Sequence, residues 1–180
     1  MSMTFENTTT KSVDVNGTNF VFREIGKKGG VPVVFLHHLT AVLDDWDPKL
    51  VDGLAAKHHV IVFDNRGVGG SGGSTPKTVE EMARDAVAFI GALGFSKVDL
   101  LGFSLGGFVS QVIAQQQPGL VRKIILAGTG PAGGDGIVNV GAVLQDAFGK
   151  AGATNRHTKH FLFLPRRATA RQQPTTSCSA

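Results

Sequence analysis

A serine flanked by glycines at a predicted strand-to-helix turn is the feature of this sequence that points most directly to chemistry. Ser104 has Gly102 two residues before it and Gly106 two residues after it. An apolar run ends at Leu101, and a helix-like segment begins at Leu105. So sharp a turn strains the serine backbone and leaves no room for side chains at the flanking positions. The pattern predicts a serine hydroxyl exposed for nucleophilic attack on a carbonyl carbon.

Attack on a carbonyl carbon also requires N–H donors for the oxygen that becomes negatively charged. One candidate donor is the backbone N–H of Leu105, directly after the serine. A second is the backbone N–H of Leu39, which follows the pair His37-His38 at the end of another apolar run. We therefore expect Leu39 and Leu105 to supply an oxyanion hole beside Ser104.

The elements that must position these residues alternate between strand-like and helix-like along the chain. Strands are predicted at 11–15, 19–25, 31–37, 59–64, 97–102 and 120–127, and helices at 45–57, 78–93, 105–117 and 137–148. The helix at 78–93 has the clearest signature: Thr78 is an N-cap, Glu81 closes a capping box and Gly94 ends the helix. The alternation predicts an α/β fold, a mostly parallel sheet with helices on both faces. Ligands bind such sheets at the carboxyl ends of the strands, where His37 and Ser104 fall.

Four segments form a recognisable series of motifs: Val33-Val34-Phe35-Leu36-His37-His38, Trp46-Asp47-Pro48, Phe63-Asp64-Asn65-Arg66-Gly67-Val68-Gly69-Gly70-Ser71 and Gly102-Phe103-Ser104-Leu105-Gly106-Gly107. Together they resemble the motifs of the α/β-hydrolase family, in its haloperoxidase- or esterase-like subgroup. The resemblance covers roughly residues 13–130 and follows the family's motif order. The resemblance implies Ser104 as nucleophile, Leu39 and Leu105 N–H groups as oxyanion hole, and esterase-like acyl chemistry without a cofactor.

A serine nucleophile also needs a base, and an acid that orients the base; in this family both follow the serine in the chain. The acids after Ser104 are Asp135 and Asp146, and the histidines are His157 and His160. No strand-like run separates Asp146 from His157, so the pair does not fit two successive strand ends. Asp135 and His157 are the remaining candidates for acid and base, and we expect the chain as written to be inactive or nearly so.

The last residues suggest a reason for the missing machinery. Residues 165–180 have no apolar periodicity, and their Pro, Arg, Ala, Ser and Thr composition resembles GC-rich DNA that is read out of frame. We hypothesise a C-terminal truncation or a frameshift near Pro165; an ordinary disordered tail is the alternative. The expected organisation is an α/β-hydrolase core at 1–134, the start of a cap at 135–164, and a disordered tail at 165–180. Without the last strands, the strand at 120–127 becomes an apolar edge that favours self-association.

Two other functions remain open on the sequence. A base-less α/β-hydrolase fold can act as a non-catalytic small-ligand-binding protein. A dinucleotide-binding protein is a weaker alternative, because 67–72 and 128–133 both match G-x-G-x-x-G. That fingerprint requires a helix to open at the third glycine, and the residues after Gly72 and Gly133 do not predict one.

Composition and charge limit the classes of partner and the cellular location that we expect for this chain. Of the formal net charge of +4, three charges come from Arg166, Arg167 and Arg171, in a tail without aromatic residues, which argues against nucleic acid. The sequence shows neither a membrane span nor a signal peptide. Cys178 is the single cysteine, so a reducing cytoplasm is the expected location. A small-molecule substrate, no cofactor and no metal are expected.

Overall fold

A six-stranded sheet carries the fold of the part of the chain that the computed structural model describes, residues 4–154. The strands are β1 Lys11–Val15, β2 Thr18–Ile25, β3 Val33–Leu36, β4 Val60–Phe63, β5 Val98–Phe103 and β6 Val121–Ala127. The helices are α1 Pro48–Ala55, α2 Val79–Ala92, α3 Leu105–Gln116 and α4 Val140–Thr154. The tail at 165–180 lies outside the described residues.

The sheet is mixed but mostly parallel, as the sequence predicts. Its order is β1-β2-β4-β3-β5-β6. The β1–β2 hairpin turns at Asn16-Gly17, and β2 pairs antiparallel with β4. From β4 onward the neighbours β4, β3, β5 and β6 all run parallel. The carboxyl ends of these four strands therefore share one edge of the sheet, and the loops that carry the candidate residues follow them.

Two hydrophobic cores lie on opposite faces of this sheet, so the predicted layering is confirmed. One core packs α2 and α3 against side chains such as Val34, Ile61 and Leu100. The other packs α1 and the segment before it against the alternate side chains, among them Phe35 and Leu101. The alternation arises because successive strand residues point to opposite faces. β3 and β4 are fully buried, as expected for central parallel strands.

Helix α2 begins and ends where the sequence predicts. The Thr78 hydroxyl accepts the N–H of Glu81 at 3.1 Å, and Gly94 follows the helix with φ +82°. The prediction that Glu81 closes the box on Thr78 was off by one residue: its carboxylate accepts the N–H of Lys77 at 2.9 Å. This bond lowers the pKa of Glu81, more than its weak desolvation raises it.

Two predicted helices have different bounds in the structure. In place of one helix at 45–57, a 3₁₀ turn at Leu43–Asp45 is followed by the shorter helix α1. The helix begins at Pro48 because the Asp47 side chain is its N-cap and accepts the N–H of Lys49. The helix expected at 137–148 begins later, at Val140, after turns in which Ile137 donates to the carbonyl of Gly134. Helix α4 belongs to a second compact unit, Gly133–Ala180, separate from Met1–Ala132.

Candidate active site

Ser104 stands at the junction of β5 and α3 with a backbone conformation rare for a residue with a side chain. Its φ is 52° and its ψ is −112°. Its N–H donates to the carbonyl of Ala127 at 2.9 Å, and its own carbonyl accepts the N–H of Gly107 at 2.9 Å. The hydroxyl makes no capping bond to the helix. The surrounding bonds thus hold a strained residue in place while its hydroxyl stays available.

The glycines on either side of Ser104 are required by close backbone approach. A Cβ on Gly102 would lie 2.4 Å from the carbonyl oxygen of Gly106. A Cβ on Gly106 would lie 2.0 Å from the carbonyl oxygen of Leu36, the last residue of β3. The first turn of α3 therefore sits directly on the end of β3, and the turn at Ser104 lies beside the loop that follows that strand.

Residues 37–46, which we call the β3 loop, pack two rings against Phe103, the residue before the serine. His38 meets the Phe103 ring edge-on, with centroids 5.3 Å apart, and Trp46 lies 6.2 Å from it. Leu39 is one of the exposed large apolar side chains. Thr40 has a φ of 66°. The structure thus brings the loop that carries Leu39 to the same edge as Ser104 and Leu105.

The two adjacent histidines of the β3 loop have different environments. His37 is buried, and its Nε2–H donates to the carbonyl of Phe63 at 2.6 Å. Burial lowers the pKa of His37 to about 4, although the bond to Phe63 and the charge of Asp64 both raise it. His37 is therefore neutral at pH 7, and its Nε2 is committed to holding the loop. His38 is half-buried, and its Nδ1–H donates to the carbonyl of Leu39 at 2.8 Å.

The loop after β4, residues 64–72, is tied to the β3 loop by a buried carboxylate. One oxygen of Asp64 accepts the N–H of Leu43 at 2.6 Å. The other accepts the N–H of Gly70 at 2.8 Å. Sequence reasoning did not assign this function to Asp64, because both partners are backbone groups that a residue pattern does not reveal. Its position after a buried strand was the available signal.

The candidates for acid and base all lie outside the compact unit that contains Ser104, Met1–Ala132. Asp135 belongs to the second compact unit, Gly133–Ala180. Asp146 lies on α4, exposed and paired with Lys150. His157 and His160 lie outside the described residues. Within 4–154 no histidine follows Ser104.

The glycine-rich segments expected of a dinucleotide site are loops in this structure. After 67–72 the next helix begins at Val79, and after 128–133 it begins at Val140. Neither loop therefore opens a helix at its third glycine, as a pyrophosphate-binding fingerprint requires. Across 4–154, no group of His, Cys, Asp and Glu side chains is arranged to hold a metal ion. Of the helices described, none has the length and apolar character to cross a membrane.

Two buried polar atoms near the end of the sheet have no hydrogen-bond partner in the described residues. One is the indole Nε1 of Trp46, and the other is the hydroxyl of Thr129. Thr129 follows β6 and lies so close to α3 that a Cβ on Gly107 would be 2.4 Å from its methyl group. Both residues border the elements that carry Ser104.

Known proteins similar to this chain share its architecture. A family described as alpha/beta hydrolase fold matches residues 31–170. A non-heme chloroperoxidase of Streptomyces lividans is 35% identical over 118 residues, 64% of this chain and 43% of that protein. The solved structure of an alpha/beta hydrolase fold protein from Chitinophaga pinensis is 41% identical with a TM-score of 0.76, over 79% of this chain and 52% of that one.

A further solved structure, Est816, described as an N-acyl homoserine lactone degrading enzyme, is 28% identical with a TM-score of 0.64. It is matched over 80% of this chain and 55% of its own length. The chain spans about half the length of these relatives, between 43% and 55%. The family match at 31–170 includes β3 to β6, α3 and the turn at Ser104.

Proposed function

The chain belongs to the α/β-hydrolase fold family, and from that premise we propose that it is built as a serine hydrolase for ester-like or other acyl substrates. The observation that carries this proposal is Ser104 at φ 52°, between glycines that admit no Cβ. Backbone strain of this kind persists where the surroundings impose it, and such strain clusters at active sites. A serine that served only to cap α3 would bond to the helix and would not need this conformation.

In the proposed reaction the Ser104 Oγ attacks the carbonyl carbon and the carbonyl oxygen becomes an oxyanion. The backbone N–H groups of Leu105 and Leu39 stabilise this charge. Leu105 is the first residue of α3, so its N–H has no acceptor within the helix. The tetrahedral intermediate expels the alcohol to leave an acyl-serine, which water then hydrolyses.

The base that takes the serine proton is the part of this reaction that the described residues do not provide. His37 is unsuitable, because its Nε2–H is committed to Phe63 and burial keeps its pKa near 4. Asp135 and His157 remain the candidates for acid and base, and we propose that neither is an effective partner of Ser104. We expect turnover to be very low, since a serine hydrolase without its base retains on the order of 10³–10⁴-fold acceleration over water from the oxyanion hole and binding.

Kinetics with p-nitrophenyl acetate test this proposal. We expect the 180-residue chain to release nitrophenol slowly, Ser104→Ala to remove the protein-dependent rate, and Ser96→Ala, at an exposed serine, to leave it unchanged. His157→Ala then asks whether this histidine is the base. A rate that Ser104→Ala does not reduce would refute the nucleophile; ordinary enzyme turnover would refute the expected inactivity.

The second candidate function is non-catalytic binding of a small ligand. A surface cavity of about 430 Å³ is lined by Ile25, Gly26, Asp52, Ala55 and Ala56. It lies against α1 and the end of β2, away from Ser104. Saturable binding of a small apolar probe such as 1-anilinonaphthalene-8-sulfonate, unchanged in Ser104→Ala, would favour this function.

We also propose that the protein acts in the cytoplasm and associates with itself through β6. The location rests on the single cysteine, Cys178, which allows no internal disulfide. The association rests on Ile125 and Leu126, exposed large apolar side chains on a strand at the edge of the described sheet. Unpaired backbone groups beside apolar side chains form a template for another copy.

A further inference from the structure

Asp64 holds two loops together with one buried carboxylate. Only 3% of the residue is exposed, and its two oxygens accept backbone N–H groups from two loops: Leu43 at 2.6 Å in the β3 loop, and Gly70 at 2.8 Å in its own loop. Hydrogen bonds to a charged acceptor are about twice as strong as neutral ones. Neither the acyl-transfer steps proposed above nor the acid and base candidates use this carboxylate.

The loop after β4 is shaped around the Asp64 side chain. Gly69 has a φ of 56°, and a Cβ there would lie 2.1 Å from an Asp64 oxygen. The main chain of Asp64 is fixed as well, since its N–H donates to the carbonyl of Val21 at 3.0 Å, and its carbonyl accepts the Ser71 hydroxyl at 2.8 Å. The carboxylate is therefore a rigid anchor attached to the sheet.

The β3 loop is attached both to this anchor and to β4. At its start, His37 donates to the carbonyl of Phe63. Further along the loop, Leu43 donates to Asp64. Leu39 lies between the two attachments with an exposed side chain. Its carbonyl accepts the His38 Nδ1–H at 2.8 Å, and Ala41 donates to the carbonyl of His38 at 3.3 Å. These two bonds are internal to the loop, so the bonds of His37 and Leu43 are the ones that attach the segment with the Leu39 N–H to Phe63 and Asp64.

We propose that Asp64 is a positioning residue for the oxyanion hole: by holding Leu43, it sets the place of the Leu39 N–H relative to Ser104. This inference rests on the proposed function of Leu39. Donors act on an oxyanion only when they are already aimed at the developing charge, and a displacement of about 1 Å lowers rates on the order of a hundredfold. An asparagine cannot replace the aspartate, because its amide N–H2 would face one of the two backbone N–H groups.

The test uses Asp64→Asn with Asp85→Asn as its matched control. Asp85, on α2, pairs with Arg66 of the same loop at 2.8 Å, and within residues 4–154 it has no hydrogen bond or ion pair with the β3 loop. Both variants make the same chemical change, from carboxylate to amide. The first readout is phenylboronic acid binding at neutral pH, followed by boron NMR. The Ser104 hydroxyl oxygen bonds to boron and its proton passes to solvent, so that boron becomes four-coordinate and the adduct carries a negative charge. One of the boron-bound hydroxyl oxygens then occupies the oxyanion hole.

The second readout is Trp46, the single tryptophan of the chain, which ends the β3 loop and is buried against His37 and Phe35. Acrylamide quenching of its fluorescence reports opening of this loop. Far-UV circular dichroism of each variant confirms that the sheet and helices remain formed.

For Asp64→Asn we expect the Kd for phenylboronic acid to rise tenfold to a hundredfold and the quenching of Trp46 to increase. We expect this effect to be smaller than the loss on the order of 10²–10³ in rate that follows removal of a whole oxyanion donor, because in Asp64→Asn the donor is displaced and not removed. Asp85→Asn should change neither quantity, and Ser104→Ala should abolish the four-coordinate signal.

The outcomes separate this inference from the proposed function. A parent protein that gives no serine-dependent boronate signal overturns the proposed function, and the positioning by Asp64 with it. A normal parent signal with an unchanged Kd in Asp64→Asn overturns the positioning alone, whether or not Trp46 becomes more quenched. An unfolded Asp64→Asn in circular dichroism also counts against it, since Asp64 would then be a residue of general stability.

Discussion

Strands β5 and β6 are parallel neighbours with similar apolar sequences, yet one is buried and the other is not. Five of the six residues of β5 are buried, and none of the seven residues of β6 is. β5 lies between β3 and β6, while β6 has a partner on one side only in the described sheet. An apolar run thus predicts that a strand forms, but its place in the sheet decides how far water is excluded.

The difference also bears on the proposed site. Leu39, Leu105 and Ser104 follow strands or turns on the buried side, where backbone groups meet closely. At β6 the corresponding end carries Thr129, whose buried hydroxyl has no partner in residues 4–154. The loops after β3 and β4 are joined by Asp64, whereas the loop after β6 is joined to α3 by the Gln111 amide, which donates to the carbonyl of Gly130 at 3.0 Å.

Paired truncations test the comparison most strongly. Leu100→Ala in β5 removes a side chain with no exposure and should lower the free energy of unfolding by about 2–5 kcal/mol. Ile125→Ala in β6, where 49% of the residue is exposed, should lower it by less than about 1 kcal/mol. Urea unfolding measures both. Equal losses would show that β6 is covered in solution.

The next prediction is that the free energy of unfolding depends on pH through His37, which is buried at the end of β3. Burial holds the pKa of His37 near 4, against 6.5 for an ordinary histidine. Between these values the unfolded chain binds a proton that the folded chain does not, so the free energy of unfolding falls as the pH is lowered from 6.5 to 4. The loss should be on the order of 3 kcal/mol, with no further contribution from His37 below pH 4.

His37→Gln provides the control for this pH dependence, because its amide can still donate to Phe63 without titrating. Urea unfolding at several pH values should give a flatter profile for this variant between pH 6.5 and 4. A profile as steep as that of the parent protein would assign the dependence to other groups.

Two glycines sharpen the comparison further. Gly106→Ala places a methyl group against the carbonyl of Leu36, on the crowded side, and should lower stability by about 1–3 kcal/mol. It should also weaken Ser104-dependent phenylboronate binding. Gly119→Ala, before β6, meets nothing within 4 Å and should change stability by less than about 0.5 kcal/mol. Thermal unfolding distinguishes them; a neutral Gly106→Ala would contradict the close approach of α3 to β3.

The smallest expected effect on stability is Ile125→Lys on β6. A charge on an edge strand blocks pairing with another copy, while an exposed position changes the free energy of unfolding by only about 0.5 kcal/mol. Sedimentation at increasing protein concentration should show less association than in the parent chain. Association that persists unchanged would move the contact away from β6.

Local signals predicted much of this fold. Asn16-Gly17 gave the hairpin, Thr78 and Gly94 gave the ends of α2, and the glycines around Ser104 gave the turn between β5 and α3. Each signal acts through neighbouring residues, so a short window contains the physical cause. The prediction for Glu81 was off by one residue, because its carboxylate reaches either of two adjacent N–H groups and only the bend of the chain selects one.

The sequence by itself determined the strands, the strained serine and the glycines beside it, because these depend on backbone sterics within a few residues. The tertiary structure decided what crosses between segments. It joined Asp64 to Leu43 across 21 positions, buried His37 against Phe63, and left β6 exposed beside a buried β5. These outcomes depend on which backbone groups meet after the sheet assembles, and residue types along the chain do not encode that meeting locally.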